Sequence, residues 1–300
     1  MKAALRELLQ RWTPAAVTAR LPVRLKARAR FVLGIEPWPD WAVRSPLFRT
    51  REYRRLRAAA RGFDAARPHK PVLERGHQTS YVLARWFVEA GVRSAFHVGY
   101  ASGRYLFYLA RLGIQAGGTD LPPDETEWAE VPLARLDQET RGRLLTTDFF
   151  DLTTEQIRST WGDGAVPIDV LFSEATFETM LPWRATGVSV PKYAAMEPAA
   201  LRSLVGQRLP EKLAELQGCF CNLVFIEPEP DAGGTGLVFE ECARRLPGLA
   251  YSVWRFRPPL DSLFRLSPRF PTRQTVYAFI RDRRITEALR AYAELGPAAG

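Results

Sequence analysis

Hydrophobic positions recur along this chain at two periods, one helical and one of continuous apolar runs. Leu5, Leu8, Leu9 and Trp12 fall at i, i+3, i+4 and i+7, which predicts an amphipathic helix closed by Pro14. Pro37 and Pro39 mark an irregular link, Arg51 to Ala60 a short helix ended at Gly62, and Pro68 and Pro71 a second link. Beyond them helices and strands alternate. A helix capped by Thr79 or Ser80 runs through Val82, Leu83, Trp86, Phe87 and Ala90 to Gly91. Ser94–Val98 reads as a buried strand, Tyr105, Leu106, Leu109 and Ala110 as a helix stopped by Gly113, and Ile114–Thr119 as the next strand. A weaker strand over Leu144–Thr147 and a clear one over Ile168–Ser173 follow. Pro198–Leu216 is helical with a break expected near Pro210, Asn222–Ile226 is a strand, and Phe239–Arg245 is a helix. Ala250–Phe256 and Thr275–Arg281 are β-rich with no helix between them, so an antiparallel pair is expected at one edge. The alternation predicts an α/β fold, a doubly wound and mostly parallel sheet.

Composition narrows the class. With 300 residues and 46% hydrophobic positions the chain buries a sizeable core, which excludes general disorder. Three Cys and three His support neither a disulfide framework nor a clustered zinc site, so no metal and a reducing, cytoplasmic setting are expected. Cys219, Cys221 and Cys242 read as small buried hydrophobes. No apolar run of membrane-spanning length exists, and charges throughout residues 1–30 argue against a secretory leader.

Charge divides the chain. The net charge is +9, yet residues 1–60 alone hold 14 Lys and Arg against 4 Asp and Glu, while the remainder holds 28 against 29. The expected organisation is a basic helical N-terminal extension over residues 1–70 and a body over residues 71–300. The basic segment suits peripheral contact with an anionic membrane through residues 1–60, or nucleic-acid phosphates. Its plain alternative is a leucine stripe packed on the body beneath solvated arginines.

The chemically informative stretch is Phe96 to Leu121, FHVGYASGRYLFYLARLGIQAGGTDL. It reads strand, glycine turn, helix, Gly113, strand, acid. Gly99 lets the chain leave the strand sharply and Gly103 lets the helix start close to a ligand, with the small Ala101 and Ser102 between them. The N–H groups of the helix start suit an anion. Asp120 follows Gly103 by 17 residues at the tip of the next strand, where a carboxylate accepts both hydroxyls of a ribose. GYASGR does not supply the G-x-G-x-x-G of a nicotinamide-binding fold, which sets that rival aside.

This stretch resembles motifs one and two of the class I S-adenosylmethionine-dependent methyltransferases, over residues 75 to 281. The resemblance implies a seven-stranded Rossmann-like sheet with an antiparallel strand near one edge, and S-adenosyl-L-methionine as cofactor. It implies His97, Gly99, Ala101, Ser102, Gly103, Asp120 and Leu121 around the methionine and ribose, with Asp148 and Phe149 at the adenine. It places Glu174, at the end of the fourth strand, near the transferred methyl group. His97 stands where the family has an acid, and Ala101 where it has a glycine. Neutral His97 accepts from the methionine ammonium and protonated His97 repels it, so cofactor affinity is expected to weaken from about pH 8 to about 6; the alternative is that His97 turns into the core and hydrogen-bonds a neighbouring carbonyl, which leaves affinity independent of pH.

The implied activity is methyl transfer to a small molecule, at a hydroxyl oxygen; Glu174, Glu178 and His77 are the candidate general bases, the alternatives being a solvated or salt-bridged acid at Glu178 and a surface cap residue at His77. The long loop after Ser173, with Met180, Trp183 and Tyr193, reads as a substrate loop, and the glycines of EPEPDAGGTG as flexibility. Two other readings stay open. One is a binding protein that keeps the fold without catalysis; the other is a nucleic-acid methyltransferase using the basic N-terminus.

Overall fold

The computed structural model describes residues 43–63, 74–121, 133–174, 176–177, 200, 203–228, 235–264 and 274–296. The helix expected over Leu5 to Trp12, the loop with Met180, Trp183 and Tyr193, Glu178, and Gly233 and Gly234 lie outside these residues.

Eight strands form one sheet: β1 (Ser94–Val98), β2 (Gln115–Asp120), β3 (Leu144–Thr146), β4 (Ile168–Glu174), β5 (Phe220–Pro228), β6 (Ala250–Phe256), β7 (Gln274–Ile280) and β8 (Ala293–Leu295). Their order is β3-β2-β1-β4-β5-β7-β6-β8. The first five are mutually parallel, and β7 runs antiparallel between β5 and β6. The order reverses between β1 and β4, which opens a crevice at the carboxyl ends of the strands. The sequence reading anticipated seven strands; β8 is the eighth, three residues long and too short to leave a periodic signal.

Both faces are covered. One carries α1 (Arg51–Ala59), α2 (Glu74–Glu89), α3 (Arg104–Arg111) and a helix near the C-terminal end, Arg283–Leu289, whose apolar residues share one core with Val170, Phe172, Val224 and Val276. The opposite face carries α4 (Thr154–Trp161), α5 (Leu209–Leu216) and α6 (Thr235–Arg245) over Phe96, Val98, Leu171 and Phe225. The strand residues alternate between the two cores, as a sheet buried on both sides requires.

Local chemistry explains several boundaries. Thr50 caps α1 by accepting from the Tyr53 N–H, and Thr153 with Gln156 forms a reciprocal capping box for α4. Helix α2 starts at Glu74, five residues before the expected Thr79 cap, because Thr79 and Ser80 donate instead to the Gly76 carbonyl inside the helix. Near Pro210 the chain stays helical. A π-helical turn over Leu204–Arg208 precedes α5, and Pro210 sits in the first turn, where its missing N–H has no partner to lose.

The described part of the basic segment is integral to the body. Phe63 is fully buried with its ring 5.2 Å from Phe107, Tyr53 lies 5.0 Å from Tyr81, and the Val43 N–H donates to Gln78 Oε1 at 2.8 Å. The leucine stripe and the basic run over residues 20–30 lie outside the described residues.

Candidate functional site

The glycine turn follows β1 as expected, and every second residue of it is left-handed. Gly99 has φ +73°, Ala101 φ +46° and Gly103 φ +71°. For Ala101 that conformation costs about 1 kcal/mol relative to glycine. Asp120 stabilises it: Oδ2 accepts from the Ala101 N–H at 2.5 Å, while Oδ1 accepts from the Leu121 N–H at 2.8 Å. The carboxylate at the tip of β2 therefore clasps the turn after β1, and Gly99, Ala101, Ser102, Gly103, Asp120 and Leu121 come together at one end of the sheet. Burial raises the Asp120 pKa to about 6, against the two backbone donors that lower it.

One strand further out, Thr119 Oγ1 donates to the Thr147 carbonyl, tying β2 to the turn that carries Asp148 and Phe149. Asp148 accepts from the Phe150 N–H at 3.0 Å as the cap of a short 3-10 turn. Phe149 packs edge-on against Phe150 and Phe177 at 5.8 Å each and is 4% exposed. The two residues follow β3, as the sequence reading expected, but Phe149 is a covered part of an aromatic cluster rather than a free stacking plate.

His97 takes the core position of its two readings, without the carbonyl hydrogen bond expected there. Its ring stacks flat on Phe172 at 4.3 Å and edge-on to Tyr105, 2% exposed, with neither ring nitrogen hydrogen-bonded. Burial, helped by the Arg104 charge, lowers its pKa to about 3. It is a neutral core ring at any ordinary pH, and no pH switch follows from it. The physical reason is strand parity: His97 shares the face of Phe172 on the paired strand β4, beneath α3. His77 is a correction. It is fully buried in the first turn of α2 with Nδ1 3.2 Å from the Tyr108 hydroxyl, so it presents no base to the crevice.

Glu174 ends β4 on the same face as His97, one step nearer the crevice. Burial raises its pKa, while Arg104 and Arg75 oppose the rise. Arg104 donates to Ser80 Oγ at 2.6 Å and lies over the Tyr105 ring, so the first turns of α2 and α3 surround the Glu174 carboxylate with cations and a phenol.

Sequence reasoning missed the residues that tie these parts together. Glu227, at the end of β5, is fully buried; its Oε1 accepts from Ser173 Oγ at 3.1 Å, the Thr176 N–H at 3.0 Å and the Phe177 N–H at 3.1 Å. Thr176 in turn donates to the Val98 carbonyl at 2.9 Å, and its Oγ1 lies 2.7 Å from where a Gly99 Cβ would be. Gly99 is thus required twice, for its positive φ and for the space Thr176 fills. The signal available in sequence was an acid closing the apolar run NLVFIE.

No protein-family model and no curated protein matches the chain. Among solved structures, it is similar to magnesium protoporphyrin IX methyltransferase from Synechocystis PCC 6803 with bound SAM, at 12% identity and a TM-score of 0.43, over 87% of this chain and 99% of that one. It is similar to the plantazolicin methyltransferase in complex with SAH, at 12% identity and 0.41, over 94% and 100%. It is also similar to the mitomycin 7-O-methyltransferase, at 12% identity and 0.44, over 93% and 83%. Likenesses at this level carry no substrate or residue role over to this chain. Its fold is Rossmann-like, with the mostly parallel sheet and antiparallel strand near one edge implied by the resemblance to class I methyltransferases.

Proposed function

We propose that the protein binds S-adenosyl-L-methionine at the carboxyl ends of β1 and β2 and transfers its methyl group to a hydroxyl of a small molecule. The observation that carries this reading is the Asp120 clasp on a left-handed glycine turn. A carboxylate held there keeps lone pairs for two ribose hydroxyls, and the unfilled N–H groups at the start of α3 face an anionic group of the same ligand. Gly99, Ala101, Ser102 and Gly103 would hold the methionine portion, Asp120 and Leu121 the ribose, and Asp148 and Phe149 the adenine side. The cofactor, when bound, supplies an already activated methyl group, so the protein's part is alignment and removal of a proton. Glu174 is the candidate base: its raised pKa suits proton acceptance, and Arg104 and Arg75 stabilise its charge.

Isothermal titration with S-adenosylhomocysteine tests the reading. The wild-type chain is expected to bind it and not a nicotinamide dinucleotide. Asp120→Ala removes charge-assisted hydrogen bonds of about 1.5–3 kcal/mol and is expected to weaken affinity about ten- to hundred-fold. A folded wild-type chain with no affinity for either form of the cofactor ends the proposal. Asp120→Asn, which keeps one acceptor for the Ala101 N–H, guards against confusing lost binding with a collapsed turn.

A further inference from the structure

The basic segment is where the molecule's charge departs most from balance, and its described part has a definite geometry. Residues 44–61 contain seven arginines and one acid. Arg57 pairs inward with Glu74 at 2.6 Å, and Glu52 turns to α2, meeting the Tyr81 hydroxyl at 2.6 Å and Arg85 at 3.4 Å. Arg44, Arg49, Arg51, Arg54, Arg55 and Arg61 are exposed, and among the described residues none has a carboxylate within ion-pair distance. Arg51, Arg54 and Arg55 stand at i, i+3 and i+4 on α1, opposite the buried Tyr53 and Leu56. The one acid leans towards α2 and six of the seven guanidinium groups point out, on a helix packed against α2.

We propose that this arginine face docks the protein on an anionic lipid surface. Three observations favour lipid over nucleic acid. The aromatic side chains of the described segment, Phe48, Tyr53 and Phe63, are all buried, so none is offered for stacking on an unpaired base. The face is one row on a convex helix, which suits a plane of phosphates. The same basic stretch carries the apolar stripe Leu5, Leu8, Leu9 and Trp12, which a bilayer interface rewards and a phosphate backbone does not. No residue of this face belongs to the glycine turn, so the proposal does not rest on methyl transfer.

The test is co-sedimentation of the full chain with vesicles of phosphatidylcholine alone or mixed with phosphatidylglycerol. Binding is expected only to the anionic vesicles and is expected to fall as salt screens the surface. In the triple variant Arg51→Glu, Arg54→Glu, Arg55→Glu each replaced residue is exposed and has no ion-pair partner among the described residues. The variant is expected to unfold at the wild-type temperature, bind S-adenosylhomocysteine as the wild type does, and partition about 100-fold more weakly. Absence of anionic-vesicle binding overturns the proposal, as does undiminished binding by the triple variant. Salt-sensitive binding of an RNA oligomer in place of vesicles overturns it in favour of nucleic acid. Loss of cofactor affinity at the same time would show the variant misfolded, and single reversals at Arg54 and Arg55, each expected to weaken partition several-fold, then decide.

Discussion

Burial acts on Asp120 and His97 alike by disfavouring charge, but the consequences differ because one is an acid and the other a base. His97, lowered to about 3, stays neutral, whereas Asp120, raised to about 6, titrates close to neutrality. Only ionised Asp120 offers charge-assisted acceptors to a ribose. Cofactor affinity is therefore expected to fall by up to about ten-fold from pH 7 to pH 5, measured by titration calorimetry with S-adenosylhomocysteine. Asp120→Asn should flatten the profile and His97→Asn should leave it intact, which places the titration on the carboxylate and not on the imidazole. In the ligand-free protein the same shift works the other way. The folded carboxyl holds its proton more tightly than an unfolded one near 3.8, so this group favours the folded state progressively as pH falls through about 6. Sequence showed that a histidine replaced the family's acid; it did not show which face of β1 turned inward under Tyr105, since a strand buried on both sides has no polar alternation to read.

At the scale of elements, the end of β5 is joined to the end of β4 and to Thr176 and Phe177 by a single carboxylate oxygen, and Thr176 carries the tie on to Val98 at the start of the glycine turn. Replacing Glu227 with Leu leaves Ser173 Oγ and the Thr176 and Phe177 N–H groups without that acceptor in a buried setting, each at about 1–3 kcal/mol. Urea unfolding is expected to show a loss of about 3 kcal/mol or more for Glu227→Leu and clearly less for Glu227→Gln, which retains an acceptor oxygen. Equal losses in the two variants would mean that the charge, and not the hydrogen bonds, holds the turn. The strand, turn, helix and acid of Phe96–Leu121 were legible because each is a local signal: apolar run, glycine, helical spacing, spaced aspartate. The latch was not, since Glu227 and Thr176 lie 51 residues apart and only β4–β5 pairing makes them neighbours. The capped helix Thr154–Trp161 was missed because its apolar stripe amounts to Ile157 and Trp161 alone.

For the whole molecule, the parallel half of the sheet and the antiparallel pair were readable from the alternation of apolar runs and helices, because βαβ units bury both faces of every strand. That β7 enters between β5 and β6 was not readable. Order within a sheet is set by which edges are left open once helices have packed, and no local pattern encodes it. Nor did the +10 excess of residues 1–60 show that α1 is seated in the body, since exposed arginines and a buried Tyr53, Leu56 and Phe63 occur in the same stretch.

The insertion of β7 also sets the order in which the chain becomes safe. Leu223 pairs with Phe279 and Pro228 with Gln274, so until residues 274–280 are available β5, an almost wholly apolar strand, carries an open row of N–H and C=O groups. Trp86, in α2, likewise finds the acceptor for its indole N–H only at Ile285, 199 residues later. During synthesis a chain that has not yet reached β7 is thus a template for strand addition by other copies, and its closure depends on residues 274–280 arriving in time. A chain stopped before Gln274 is expected to collect in the insoluble fraction on expression, whereas one stopped after Leu295 remains in the supernatant; equal solubility of the two would place the protection of β5 elsewhere.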